Sequence, residues 1–148
     1  MKKLFLILIA VFGIYASSSA QSADISYISL EHNVRYSGTN CLAVHICCSV
    51  DDLKGRTVNI AAYFFDDYGD PIKAPYGAPG QFRTTDGQLC VGCNVRVAYE
   101  NAYWDDCVLY IPYGMFQQSG SYQCAVQISN SSYGVLARSS EEYFDVYR

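Results

Sequence analysis

Alternation of apolar and polar residues at every second position, broken by turn residues at short intervals, leaves this chain few folds to choose from. Between Thr57 and Tyr68, Val58, Ile60, Ala62 and Phe64 alternate with Asn59, Ala61, Tyr63 and Phe65. Side chains of an extended strand point to opposite faces in turn, so both faces of this strand carry bulk, and a core position is expected. Cys41–Val50 repeats the pattern, with Val44, Ile46, Cys48 and Val50 on one face and His45 and Cys47 on the other. Its second face is only partly polar, which predicts a place near the middle of a sheet. Ile25–Tyr36 alternates more loosely, with Ile28, Leu30 and Val34 as inward candidates, and reads as a first strand.

Turn chemistry punctuates these runs. Ser37-Gly38-Thr39-Asn40, Asp51 to Gly55, Asp66-Asp67-Tyr68-Gly69-Asp70-Pro71, Thr85-Asp86-Gly87-Gln88 and Asn130 to Gly134 each reverse the chain. Prolines at 71, 75 and 79 make Ile72–Gly80 a loop, because proline cannot donate to a ladder. Gln81–Arg83 is read as a short extended piece. Leu89–Ala98 is a strand in which Gly92 marks a bulge or a tight backbone crossing.

Tyr99 to Tyr113 reads as the keystone of the fold: an aromatic connection through Trp104, an acidic turn at Asp105-Asp106, a strand from Cys107 to Ile111, and Pro112 to end it. Tyr113–Ser119 has room for one helical turn. Ser121–Ile128 alternates cleanly, as a half-solvated strand does, and Tyr143–Tyr147 closes the chain. Seven or eight strands with no three-turn helix predict an all-β fold. Two antiparallel sheets packed as a sandwich, immunoglobulin-like or C2-like, are the expected architecture, with a closed barrel as the alternative.

The first residues carry a different signal. Met1-Lys2-Lys3, an apolar run from Leu4 to Tyr15 and the small residues Ser18 and Ala20 have the three parts of a secretory signal peptide covering residues 1–20. The run is short for a bilayer span, and no later one is long enough, so no integral membrane segment is expected after cleavage. Residues 21–148 then form a single β-sandwich domain, periplasmic or secreted. The formal net charge is −4, with no cluster of Lys or Arg. That balance argues against nucleic acid as a partner.

Seven cysteines follow the leader: Cys41, Cys47, Cys48, Cys90, Cys93, Cys107 and Cys124. Export permits disulfides, the odd number leaves at least one thiol over, and the pairing stays open. Cys90-Val91-Gly92-Cys93 has redox or metal spacing in the wrong setting, a β pattern and not a helix N-terminus, so structural thiols or disulfide partners are expected. His45 and Cys47 share a strand face, yet two strand rises separate them, too far for direct proton transfer. No catalytic residue is assigned.

Two binding expectations remain. Asp66, Asp67 and Asp105 are the candidate metal ligands, on the idea that acidic turns at one end of a sandwich converge on calcium; otherwise they are ordinary turn aspartates, and no cofactor is needed. Fourteen tyrosines, one of them in the leader, make a contact surface plausible. Tyr63, Tyr68, Tyr76, Tyr99, Tyr103 and Trp104 are the candidates, for a protein or glycan partner. Tyrosines also cap thin cores with their rings inward, which is the plainer account of any one of them.

Gly55, Ala62-Tyr63-Phe64-Phe65, Gly69, Thr85-Asp86-Gly87-Gln88, Tyr99-Glu100-Asn101-x-Tyr103-x-Asp105 and Leu109-x-Ile111-Pro112-Tyr113 occur in that order. Together they resemble a recurring, functionally uncharacterised β-sandwich module of exported proteins of Bacteroidetes-type bacteria, found attached to peptidase or repeat domains in longer chains. The resemblance covers most of residues 21–148 and rests on turn and core positions. It implies an accessory or interaction domain without catalytic residues of its own. An exported, non-catalytic binding or assembly module is therefore the expected function. The alternatives are a calcium-dependent surface-binding module and a hydrolase with an unrecognised site.

Overall fold

The structure, a computed structural model, describes residues 20–132 and 134–148. The signal peptide expected over residues 1–20 lies, apart from Ala20, outside the described residues. Eight strands follow in order: β1 (Ser22–Tyr36), β2 (Thr39–Asp51), β3 (Thr57–Asp66), β4 (Cys90–Arg96), β5 (Asn101–Pro112), β6 (Gly120–Ser129), β7 (Val135–Arg138) and β8 (Glu142–Val146). They form two antiparallel sheets, β1-β2-β5 and β4-β3-β6-β7, with β8 also paired to β6. The expected all-β sandwich is thus what the chain forms. Among the described residues no helix is long and apolar enough to cross a membrane.

The alternation fixes which side chains lie between the sheets. Val44, Ile46, Cys48 and Val50 of β2 and Val58, Ile60, Ala62 and Phe64 of β3 are all fully buried. Both strands are central, β2 between β1 and β5, β3 between β4 and β6. Aromatic rings fill one part of the core: Phe64 meets Phe116 edge-on at 5.3 Å, and Phe144 meets Phe116 at 5.6 Å and Phe64 at 6.1 Å. Edge-to-face contact sets the positive rim of one ring against the negative face of the next.

Three local expectations are corrected. Gly80–Phe82 is a 3-10 turn and not an extended piece, its Phe82 amide bonded to the Pro79 carbonyl. β5 begins at Asn101, so Tyr103 and Trp104 are strand residues and not part of a connection. β6 is covered on both faces along most of its length: Gln123 and Ala125, on the face expected to be wet, are buried, and Gln123 donates to the Asp67 carbonyl. The single helical turn after Pro112 is present, at Tyr113–Met115.

Gly92 is a crossing residue and not a bulge. The β3/β4 register runs unbroken through Ala61↔Gly92. A Cβ on Gly92 would stand 2.9 Å from the Ala61 Cβ and 3.0 Å from the Ile60 carbonyl oxygen. Carbon atoms cannot approach so closely, and a paired backbone has little room to yield. Gly92→Ala is expected to cost about 1–3 kcal/mol, a clear loss in a urea melt. Melting like that of wild type would show that β4 shifts freely.

Candidate functional site

The outer face of the three-stranded sheet holds the densest set of reactive side chains. β1 contributes Tyr27, Ser29 and Glu31 at alternate positions, paired with Cys47, His45 and Ala43 of β2. Their odd numbering sets them opposite the inward Ile28, so all three face out. β5 contributes Tyr103, Asp105 and Asp106.

That last set depends on a β-bulge. Ile46 pairs with Cys107 and Cys48 with Trp104, so both Asp105 and Asp106 oppose the single residue Cys47. A bulge inserts one residue and interrupts the alternation. Trp104 and Cys107, on either side of it, both pack against the core. The two carboxylates between them both line a concavity of about 480 Å³ on the outer face, with Tyr27, Ser29, Glu31, His45, Ile46 and Cys47. The acidic doublet, expected at a turn, is a feature of the strand itself.

Two hydrogen-bonded chains lie side by side there. His45 holds Asp106 Oδ1 through Nδ1 at 2.8 Å and Glu31 Oε2 through Nε2 at 2.9 Å. The imidazole, on the middle strand, thereby ties β1 to β5. Burial disfavours its charge, but the two carboxylates outweigh that and raise its pKa above the ordinary histidine range. In the second chain the Tyr103 hydroxyl donates to Asp105 Oδ1 at 3.1 Å and lies 3.1 Å from Cys47 Sγ. Its bonds to Cys47 and Asp105 hold the phenol above its usual range, and it stays neutral.

These partners decide against a Cys-His pair. Both imidazole nitrogens are taken by carboxylates, and Cys47 is engaged by Tyr103, so no base stands ready for the sulfur. The doubly held imidazole has a consequence for stability. A raised folded pKa means that His45 stabilises fully below its unfolded value near 6.5, and that this contribution disappears as pH rises through the folded pKa. All three groups are partly exposed, so the effect is about 0.5–1 kcal/mol. Wild type should lose that margin over His45→Gln as pH rises from below the unfolded value near 6.5 through the raised folded pKa. A pH-independent difference between the two melting temperatures would show that the bridge carries no charge.

The predicted contact residues are scattered over the molecule. Tyr103 belongs to the face just described, and Tyr99 is exposed just ahead of β5. Trp104 points inward against the core. Tyr63 lies on the outer face of the other sheet, in a groove with Thr57, Asn59, Ala61 and Cys90. Tyr68 and Tyr76 stand almost fully exposed, after β3 and in the proline loop. Sequence reasoning missed Tyr27, and also Tyr36, which stacks on Tyr110 at 4.0 Å. The signal for Tyr27 was its parity opposite Ile28.

The candidate metal ligands are likewise apart. Asp66 ends β3, where Oδ1 accepts the amides of Tyr68 and Asp70, while Asp105 lies on the other sheet. Among the described residues no group of three or more His, Cys, Asp or Glu side chains has the arrangement of a metal site. All seven cysteines are free thiols. Cys90 faces the outer groove of its sheet and Cys93 packs against the core, because residues three apart on a strand fall on opposite faces.

No family model matches the chain, and no curated protein matches it. Among solved structures it is similar to β-glucosidase 3B from Thermotoga neapolitana in complex with glucose, at 16% identity and a TM-score of 0.37. It is similar also to that enzyme in complex with α-D-glucose, at 16% identity and a TM-score of 0.35. Each match covers 87% of this chain and 17% of the enzyme. The chain thus spans a small part of that enzyme's length.

Proposed function

We propose that this protein is a non-catalytic binding or assembly module, and that the outer face of β1-β2-β5 is its contact surface for a protein or glycan. The observation that carries this reading is the combination of exposed rings with anchored carboxylates. Tyr27 and Tyr103 are 60% and 61% exposed, and on the same face Glu31 and Asp106 are held by His45 and Asp105 by Tyr103. Exposed rings provide flat apolar area that the core does not use. Carboxylates fixed in advance accept hydroxyl or cationic donors with little further loss of freedom. The reading fits the accessory role that the sequence resemblance implies, and export through the leader would place such a face where partners are met.

The test uses a photoreactive residue at Tyr27, together with a panel of neutral oligosaccharides titrated against the purified protein. Saturable capture or binding is expected, falling at least about tenfold in Tyr103→Ala and in Asp105→Asn while melting stays within a few degrees of wild type. Binding that survives both substitutions would place the contact surface elsewhere. Turnover of any bound glycan would replace this reading with an enzymatic one.

A further inference from the structure

The strand order leaves β5 at one border of the three-stranded sheet and β4 at one border of the other, and the two pack against each other. Cys107 of β5 pairs with Ile46, and Cys93 of β4 pairs with Ile60, both partners fully buried between the sheets. The two cysteines therefore face inward from opposite sheets, at the seam where the sandwich is open. Both pack on the core while keeping some exposure, and the two thiols lie near enough to perturb one another's ionisation without being covalently joined. None of the other five thiols shares this position. Cys90 faces the outer groove, Cys41 and Cys47 are buried on the outer side of β2, and Cys48 and Cys124 are fully buried inside.

We propose that Cys93 and Cys107 form a disulfide clasping the two sheets when the protein meets an oxidising pool of small-molecule disulfide. The Cys93 sulfur attacks one sulfur of the small disulfide, releasing one small thiol and leaving a mixed disulfide on Cys93. The Cys107 sulfur then displaces the second small thiol and closes the protein bond. Two protein thiols are oxidised by two electrons, one disulfide is reduced to two thiols, and the two protons leave with them. The pair is set up for these unequal roles. Interaction with Cys107 holds the Cys93 thiol down at about 7 against its burial, while Cys107 is held well above the ordinary thiol range. The lower thiol supplies the attacking thiolate.

The experiment incubates the purified protein with excess oxidised glutathione, blocks the remaining thiols by alkylation, and maps tryptic peptides. Cleavage after Arg83, Arg96 and Arg138 puts Cys93 and Cys107 in adjacent peptides, and Cys41, Cys47 and Cys48 in a separate one ending at Lys54. A link between the two adjacent peptides is expected, lost in Cys93→Ser and in Cys107→Ser but retained in Cys90→Ser and in Cys124→Ser. The bond closes a loop of about 15 residues, so the oxidised protein should melt roughly 10 °C higher, reversibly with reductant. A link reaching the Cys48 peptide, one that survives Cys93→Ser, or no link at all would overturn the proposal.

Discussion

Phe116→Ala is expected to be the most damaging single substitution in the chain, lowering stability by about 3–5 kcal/mol and the melting temperature by 10 °C or more. Phe116 is fully buried although it lies outside any strand, just after the turn at Tyr113–Met115. Its ring touches Phe64, Tyr122 and Phe144, at 5.3, 5.1 and 5.6 Å between centroids. Those partners come from β3, β6 and β8, so the ring joins three strands of one sheet to the segment leaving the other. Truncation removes the buried area and leaves a cavity that paired strands cannot close, and both losses add. Chemical melts of Phe116→Ala beside Phe116→Leu check this. Leucine should restore about half of the loss by refilling part of the volume, and equal melting of alanine variant and wild type would mean that the aromatic cluster is not what holds this end of the core.

Phe116 also shows what the sequence could and could not express. β2 and β3 were legible because a strand buried on one face must alternate, and the alternation is unbroken over four inward residues in each. Phe116 has no such pattern around it: it packs through a local turn whose neighbours, Gly114 and Gln117, follow no strand period. The keystone stretch does carry core residues, but their weight falls on Leu109 and Ile111 within β5 and on Phe116 beyond it, with Trp104 only partly buried. Burial of Gln123 and Ala125 was hidden for a related reason. Alternation reports the chemistry of each face, whereas what covers the second face of β6 comes from distant segments such as Asp67.

The site was harder to read than the fold. Asp105-Asp106 has the composition of a turn, and a bulge needs one partner residue to face two, a property of the pair of strands that neither strand states alone. His45 was correctly separated from Cys47 by strand geometry, yet its true partners, Glu31 and Asp106, are distant in sequence and became visible only with the register of all three strands. Tyrosine density pointed to a contact surface without locating one. Parity on the first strand would have placed Tyr27, Ser29 and Glu31 together, since Ile28 and Leu30 were already taken as inward.

Deleting Asp106 should leave a folded protein without its outer-face site, whereas deleting Val108, two residues on, should be far more damaging. With Asp106 gone, Trp104, Asp105 and Cys107 can pair in succession with Cys48, Cys47 and Ile46, and Cys107, Leu109 and Ile111 keep facing inward. The ladder becomes regular, His45 loses one of its two carboxylates, and melting should stay within about 4 °C of wild type, since only a partly exposed ion pair is lost. Loss of Val108 also removes one residue, and the spare residue of the bulge can fill the gap: Trp104 keeps Cys48 and Leu109 keeps Val44, while Asp106 comes to oppose Ile46 and Cys107 to oppose His45. Leu109 and Ile111 stay inward, but Asp106 now points between the sheets where Cys107 stood, and Cys107 turns outward. A carboxylate without a partner in the core costs far more than a partly exposed ion pair, even when it takes up a proton. Circular dichroism melts of the two deletion variants decide the matter. Equal melting of both would show that an inward Asp106 is tolerated, and failure of the Asp106 deletion alone would mean that the bulge is required for the fold as well as for the site.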